Sequence, residues 1–124
     1  MVTEITMQDM IQGQSTEDND VRIVMFYGPT CGPCKATMPN YELASTFFKE
    51  RGARIQSFKI NAWEPAEQAT YCRETWGVEG VPHFKAFCKG QIIKEKVGGG
   101  DEPTMKAFMQ DVVDEAFKVF QERI

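Results

Sequence analysis

The sequence predicts an α/β domain, a mixed central sheet of about five strands flanked by about four helices. Three observations carry that prediction. Ile23-Val24-Met25-Phe26-Tyr27 is a short run that is apolar throughout, the mark of a strand covered on both faces. It breaks at Gly28-Pro29 and gives way at once to a long stretch with apolar residues at helical spacing. Further on, strand-like segments over 81–88 and 91–97 are joined through Lys89-Gly90, the pattern of an antiparallel hairpin.

Taken in order, residues 2–5 read as a short strand and 7–12 as a weak helix, followed by a polar connection over 12–20. After the strand at 23–27, Met38, Tyr41, Ala44, Phe47 and Phe48 recur on one face of a helix that Arg51-Gly52 closes. Pro39 lies inside that helix, cannot donate to the Lys35 carbonyl, and predicts a kink. Residues 54–60 form a second buried strand. Glu64-Pro65 opens another helix with the stripe Ala69, Cys72 and Trp76, stopped by Gly77. The hairpin follows, then the break Gly98-Gly99-Gly100. Asp101-Glu102-Pro103 starts a last helix, whose stripe is Met105, Phe108, Met109, Val112, Ala116, Phe117 and Phe120. Strands linked through helices pair in parallel, and the late hairpin adds an antiparallel pair. With 124 residues, no internal repeat and no linker, the chain reads as a single domain over 1–124.

The formal charge is −4, with both signs mixed along the chain and no basic run. Direct nucleic-acid binding and attraction to an anionic membrane are therefore not expected. No stretch approaches the roughly 18–20 apolar residues of a membrane span. Met1-Val2-Thr3-Glu4-Ile5-Thr6 lacks the charged-then-apolar pattern of a leader, so the expected location is cytoplasmic. One sheet accounts for the apolar helix stripes, so a monomer is expected.

Chemistry enters at Cys31-Gly32-Pro33-Cys34, placed between a buried strand and the start of a long helix. Two intervening residues in a first helical turn bring the sulfurs close enough to close and open a disulfide. There the free N–H groups and the helix dipole favour an anion at the first sulfur. The thiolate is the attacking species in disulfide exchange, which assigns Cys31 as nucleophile and Cys34 as the resolving thiol. Pro33 suits the first turn because its missing donor would be unpaired anyway. Half of a zinc site is the rival reading. Zinc needs two further ligands, and Cys72, Cys88 and His83 form no second CxxC or HxxxH pair. No metal is therefore expected. Cys72 reads as a core residue, and Cys88, at a strand end, as partly exposed and oxidisable. His83 reads as a strand histidine satisfied by a neighbour, with a proton relay as the sharper alternative. Phe26, Tyr27, Trp63 and Trp76 read as packing residues.

With these residues in this order, the chain resembles the thioredoxin family over essentially its whole length. Gly28-Pro29-Thr30-Cys31-Gly32-Pro33-Cys34-Lys35 looks like the family's active-site segment, Pro39 like its helix proline, and Gly80-Val81-Pro82 like its cis-proline loop. Phe58-Lys59-Ile60-Asn61 and Lys96-Val97-Gly98 match further segments. The resemblance implies a thioredoxin fold in which Pro82 faces the dithiol and the Val81 backbone pairs with a substrate segment. It implies a docking rim of Thr30, Gly32, Gly80, Val81 and Gly98, with Lys59 supporting the site. Two departures stand out. Thr30 stands where the family usually has Trp, and Met25 where it usually has a buried acid, which leaves Lys59 without its expected ion partner.

The expected activity is reversible dithiol–disulfide exchange, mainly the reduction of protein disulfides. It needs no metal or organic cofactor, only the Cys31–Cys34 couple. A thioredoxin-reductase-like donor or low-molecular-weight thiols would supply the electrons. An oxidase or isomerase of the same fold remains open, as does a protein-binding module whose thiols are incidental.

Overall fold

A computed structural model describes residues 1–13 and 20–122 of the chain, so residues 14–19 of the expected polar connection lie outside the described residues. The elements are β1 (Val2–Ile5), α1 (Met7–Gly13), β2 (Val21–Tyr27), α2 (Gly32–Glu50), β3 (Ile55–Asn61), α3 (Ala66–Trp76), β4 (His83–Cys88), β5 (Gln91–Val97) and α4 (Glu102–Glu122). The five strands form one sheet in the order β1-β3-β2-β4-β5. β2 and β1 run parallel to β3, whereas β4 runs antiparallel to both β2 and β5. This is the mixed sheet that the element order predicts.

β2 reads as a continuous apolar run because it is central and covered on both sides. Its residues alternate between two cores. Ile23 and Met25 join Tyr41, Ala44, Phe84, Met105 and Met109 under α2 and α4. Val24 and Phe26 join Met10, Ile60, Cys72 and Val78 under α1 and α3. Burying a side chain such as Phe26 stabilises the fold by roughly 1.5–3 kcal/mol. Tyr41 also fixes α2 in register on the sheet. It is fully buried, and its hydroxyl lies 3.1 Å from the Ile23 carbonyl and 2.9 Å from the Phe58 carbonyl. A second polar tie, Ser45 Oγ to Ser57 Oγ at 2.6 Å, lies one turn further along the helix.

Three expectations are corrected. β4 begins at His83, two residues later than the hydrophobic run suggests, because Pro82 has no N–H to give to a strand ladder. Cys88 is fully buried, not partly exposed. Strand alternation puts it on the same face as Phe84 and Ala86, under the helices. Phe117 is exposed: it sits one residue, about 100°, beyond Ala116 and so off the buried stripe of α4. The side chain of Phe120 lies outside the described residues. Pro39 sits within α2, leaving the Lys35 carbonyl without its usual helical donor. Among the described residues no helix is long and apolar enough to cross a membrane.

Candidate active site

β2 ends at Tyr27, and Gly28 accepts the Cys31 N–H on its carbonyl at 3.2 Å, folding residues 28–31 into a tight turn. Cys31 is thereby the N-cap of α2, with extended backbone (φ −78°, ψ 115°). Its sulfur takes the role that a Ser or Asp oxygen plays at other helix starts. It accepts the backbone N–H of Cys34 at 3.2 Å. Pro33 occupies the first helical turn, where no donor is needed.

Cys31 and Cys34 are joined in a disulfide across a Cα–Cα distance of 5.2 Å. Cys31 is 7 % exposed and Cys34 2 %. Both residues are buried, Cys31 slightly less than Cys34. The Cys34 N–H and the helix N-terminus are aimed at the Cys31 sulfur, a setting of the kind that favours negative charge on a sulfur.

The loop before β4 closes the other side. The Val81–Pro82 bond is cis, and the Val81 carbonyl lies 3.8 Å from the Cys31 sulfur. Pro82 is buried, Val81 half-buried and Gly80 exposed. Gly98, in the left-handed region at φ +91°, donates its N–H to the Pro82 carbonyl at 2.9 Å, bringing the third loop to the same place. Thr30, Gly32 and Pro33 are exposed around the sulfurs. All residues expected at the rim are thus found at one end of the sheet.

Lys59 lies below this rim. A cavity of about 510 Å³ beside Cys34 is lined by Tyr27, Met38, Pro39, Glu42 and Lys59 among others. In the β2–β3 register Lys59 stands opposite Met25, which is fully buried. The Lys59 ammonium lies 5.7 Å from the centroid of the Tyr27 ring. Tyr27 in turn donates to Glu4 at 2.6 Å, and burial together with that carboxylate raises its pKa well above the ordinary phenol value.

Other singled-out residues fall elsewhere. Cys72 is buried in the α3 core, where loss of solvent pushes its thiol pKa up to about 11. His83 is the satisfied strand histidine, its Nε2 3.1 Å from Glu95, which also pairs with the buried Lys85. Among the described residues no group of three or more His, Cys, Asp or Glu side chains could hold a metal ion. Trp76 packs edge-on against Phe87, whereas Trp63 is half exposed and lies over Gly28 at the edge of the site. Trp63 is thus a packing residue, as expected, but one whose partner, Gly28 at the end of β2, its spacing does not reveal. Thr37 and Lys96 were missed, although the three glycines that they hold were a visible signal.

Comparison with known proteins agrees with this geometry. The family model described as Thioredoxin matches residues 2–111. A protein disulfide-isomerase of Arthroderma benhamiae is 35 % identical over 84 % of this chain, and one of Gallus gallus is 41 % identical over 55 %. The chain spans only 18 % and 12 % of the lengths of those two relatives. The crystal structure of a thioredoxin from Malassezia sympodialis matches with a TM-score of 0.66 at 26 % identity, over 90 % of this chain and 91 % of that one. With a matching family model, a matching fold and a disulfide-bonded CxxC at the head of α2, the chain belongs to the thioredoxin family of thiol–disulfide oxidoreductases.

Proposed function

We propose that the protein reduces disulfides in other proteins, with Cys31 attacking and Cys34 resolving. The observation that carries this reading is the unequal placement of two bonded cysteines, Cys31 the less buried and capping the N-terminus of α2, Cys34 inside the first turn. The Cys31 thiolate attacks one sulfur of a substrate disulfide, and the other substrate sulfur leaves as a thiolate. The Cys34 thiol gives its proton to solvent and attacks Cys31, releasing the second substrate thiolate. The protein is left as the Cys31–Cys34 disulfide, oxidised by two electrons, and the substrate is reduced by two. An external dithiol reductase or small thiols return the pair to its starting state. Pro82 and the Val81 backbone, with Thr30, Gly32, Gly80 and Gly98, form the surface on which the substrate strand docks, and the chain works as a monomer.

The test is reduction of a protein disulfide by dithiothreitol, with the parent and with Cys31→Ser. Turnover by the parent that disappears in the variant is expected. No turnover above background in the parent would instead favour a binding module with incidental thiols. The second reading is an isomerase, favoured by the protein disulfide-isomerases to which the chain is similar. Equilibration of the Cys31–Cys34 couple with glutathione separates the two, since a reductant keeps its disulfide even at strongly reducing ratios, whereas the disulfide of an isomerase opens at milder ones.

A further inference from the structure

The segment Gly98-Gly99-Gly100 has a composition that orders poorly by itself, since glycine loses the most conformational freedom on folding. In the structure it is held from three sides. Pro82 accepts the Gly98 N–H at 2.9 Å. From α2, Thr37 Oγ1 accepts the Gly100 N–H at 3.2 Å and Asn40 Nδ2 donates to the Gly100 carbonyl at 3.1 Å. A side chain on Gly99 would overlap Thr37 and come within 3.4 Å of the Pro33 carbonyl, so the backbone of this loop is seated directly on the dithiol turn. From β5, the half-buried Lys96 donates from Nζ to the carbonyls of both Gly98 and Gly99, at 3.1 and 2.9 Å.

These contacts are not equivalent. Pro82, Thr37 and Asn40 tie the loop inward, whereas Lys96 alone takes up two consecutive loop carbonyls with a full positive charge. Hydrogen bonds to charged donors are stronger than neutral ones. Both carbonyls belong to the two glycines nearest Pro82 and Pro33; Gly98 is part of the rim already described, and Gly99 continues it over the dithiol turn.

We propose that Lys96 is a positioning residue for the exchange reaction: its ammonium pre-orders the Gly98–Gly99 rim on which a protein disulfide docks. The inference rests on the reading of the site as a protein-disulfide reductase. Lys96 does not touch the sulfurs, so its removal acts on docking and leaves the chemical step alone. A loop that must be ordered on binding weakens affinity by the cost of ordering it.

The experiment compares the parent, Lys96→Met and Lys96→Arg with two substrates, a protein disulfide and bis(2-hydroxyethyl) disulfide, both with dithiothreitol as reductant. Expected for Lys96→Met is a KM for the protein disulfide raised by about 3- to 10-fold, with kcat and the small-disulfide rate unchanged. Lys96→Arg, which can still donate to two carbonyls, should restore KM. Amide hydrogen exchange at Gly100 should quicken in Lys96→Met and return to the parent rate in Lys96→Arg. An unchanged KM, or equal losses on both substrates, overturns the proposal while leaving the reductase reading intact. A parent that turns over neither substrate overturns the reductase reading and this proposal together.

Discussion

The indole of Trp63 occupies the space that a side chain on Gly28 would need: a Cβ built there would overlap ring atoms Cδ2 and Cε2. The pair joins the end of β2 to the turn after β3, a junction also held by the Ala62 N–H donating to the Tyr27 carbonyl at 2.8 Å. Asn61 sets the turn, its Oδ1 accepting the Trp63 N–H at 2.9 Å. Gly28→Ala should therefore destabilise the fold by about 1–3 kcal/mol, as overpacking of a fitted site does. Trp63→Ala in the same chain should recover much of that loss. Urea unfolding of the single and double variants checks it, and strictly additive effects would show that the two residues do not compete for this space.

Met25 bears on the resolving step. The Cys34 thiol must lose a proton before it attacks, and the fully buried residue opposite Lys59 is a thioether that cannot accept one. Met25→Asp should shorten the life of a mixed disulfide between Cys31 and a substrate several-fold, measured by rapid acid quench. It should also lower stability, because a carboxyl placed there is cut off from water. An unchanged lifetime in a folded variant would mean that solvent already takes the proton fast enough.

The other two cysteines should be silent. Cys72 is 1 % exposed with its thiol pKa raised to about 11, and Cys88 is fully buried. Brief iodoacetamide treatment of the reduced native protein should add a single label, on Cys31, with Cys72 and Cys88 modified only after denaturation. Rapid native labelling of Cys88, read by mass spectrometry of peptides, would contradict its placement under α2 and α4.

Glu95 should matter in acid. The hydrogen bond from Lys85 holds its carboxyl below the usual range, burial opposes this, and His83 adds to the lowering. A depressed native pKa contributes stability that is complete above the unfolded value of about 4.3 and is lost as pH falls through the native one. Glu95→Gln should flatten the acid limb of a Tm-against-pH curve below about pH 4.3. Near neutrality it should cost about 1–2 kcal/mol, a moderate loss because Glu95 is half exposed although the Lys85 that it serves is not. An acid limb as steep as the parent's would place the titrating group elsewhere.

The order of elements, the sheet and the placement of Cys31 and Cys34 were legible because they rest on short-range signals, a breaker after an apolar run and a spacing of three. Pro82 was placed by the family resemblance and not by its own spacing. What the sequence concealed depends on contacts between distant segments. Gly28 looks like a plain turn glycine until Trp63, 35 positions later, is seen against it. Lys96 looks like one of two ordinary lysines in β5 until its ammonium is found on the glycine loop. Cys88 was misread for a different reason. Nearness to a turn suggested exposure, and two-residue alternation with Phe84 and Ala86 decided otherwise.

The direction of the strands has a consequence for how such a unit is assembled into longer chains. β2 ends at the dithiol, and β1, parallel to β3 and through it to β2, starts at the opposite end of the sheet. α4 leaves the dithiol end beside Gly100 and runs 21 residues, about 30 Å, toward that same opposite end. Both ends of the fold therefore point away from the sulfurs. Another domain could be attached to either one without crossing in front of the reactive edge, so copies strung in series would each keep an open face.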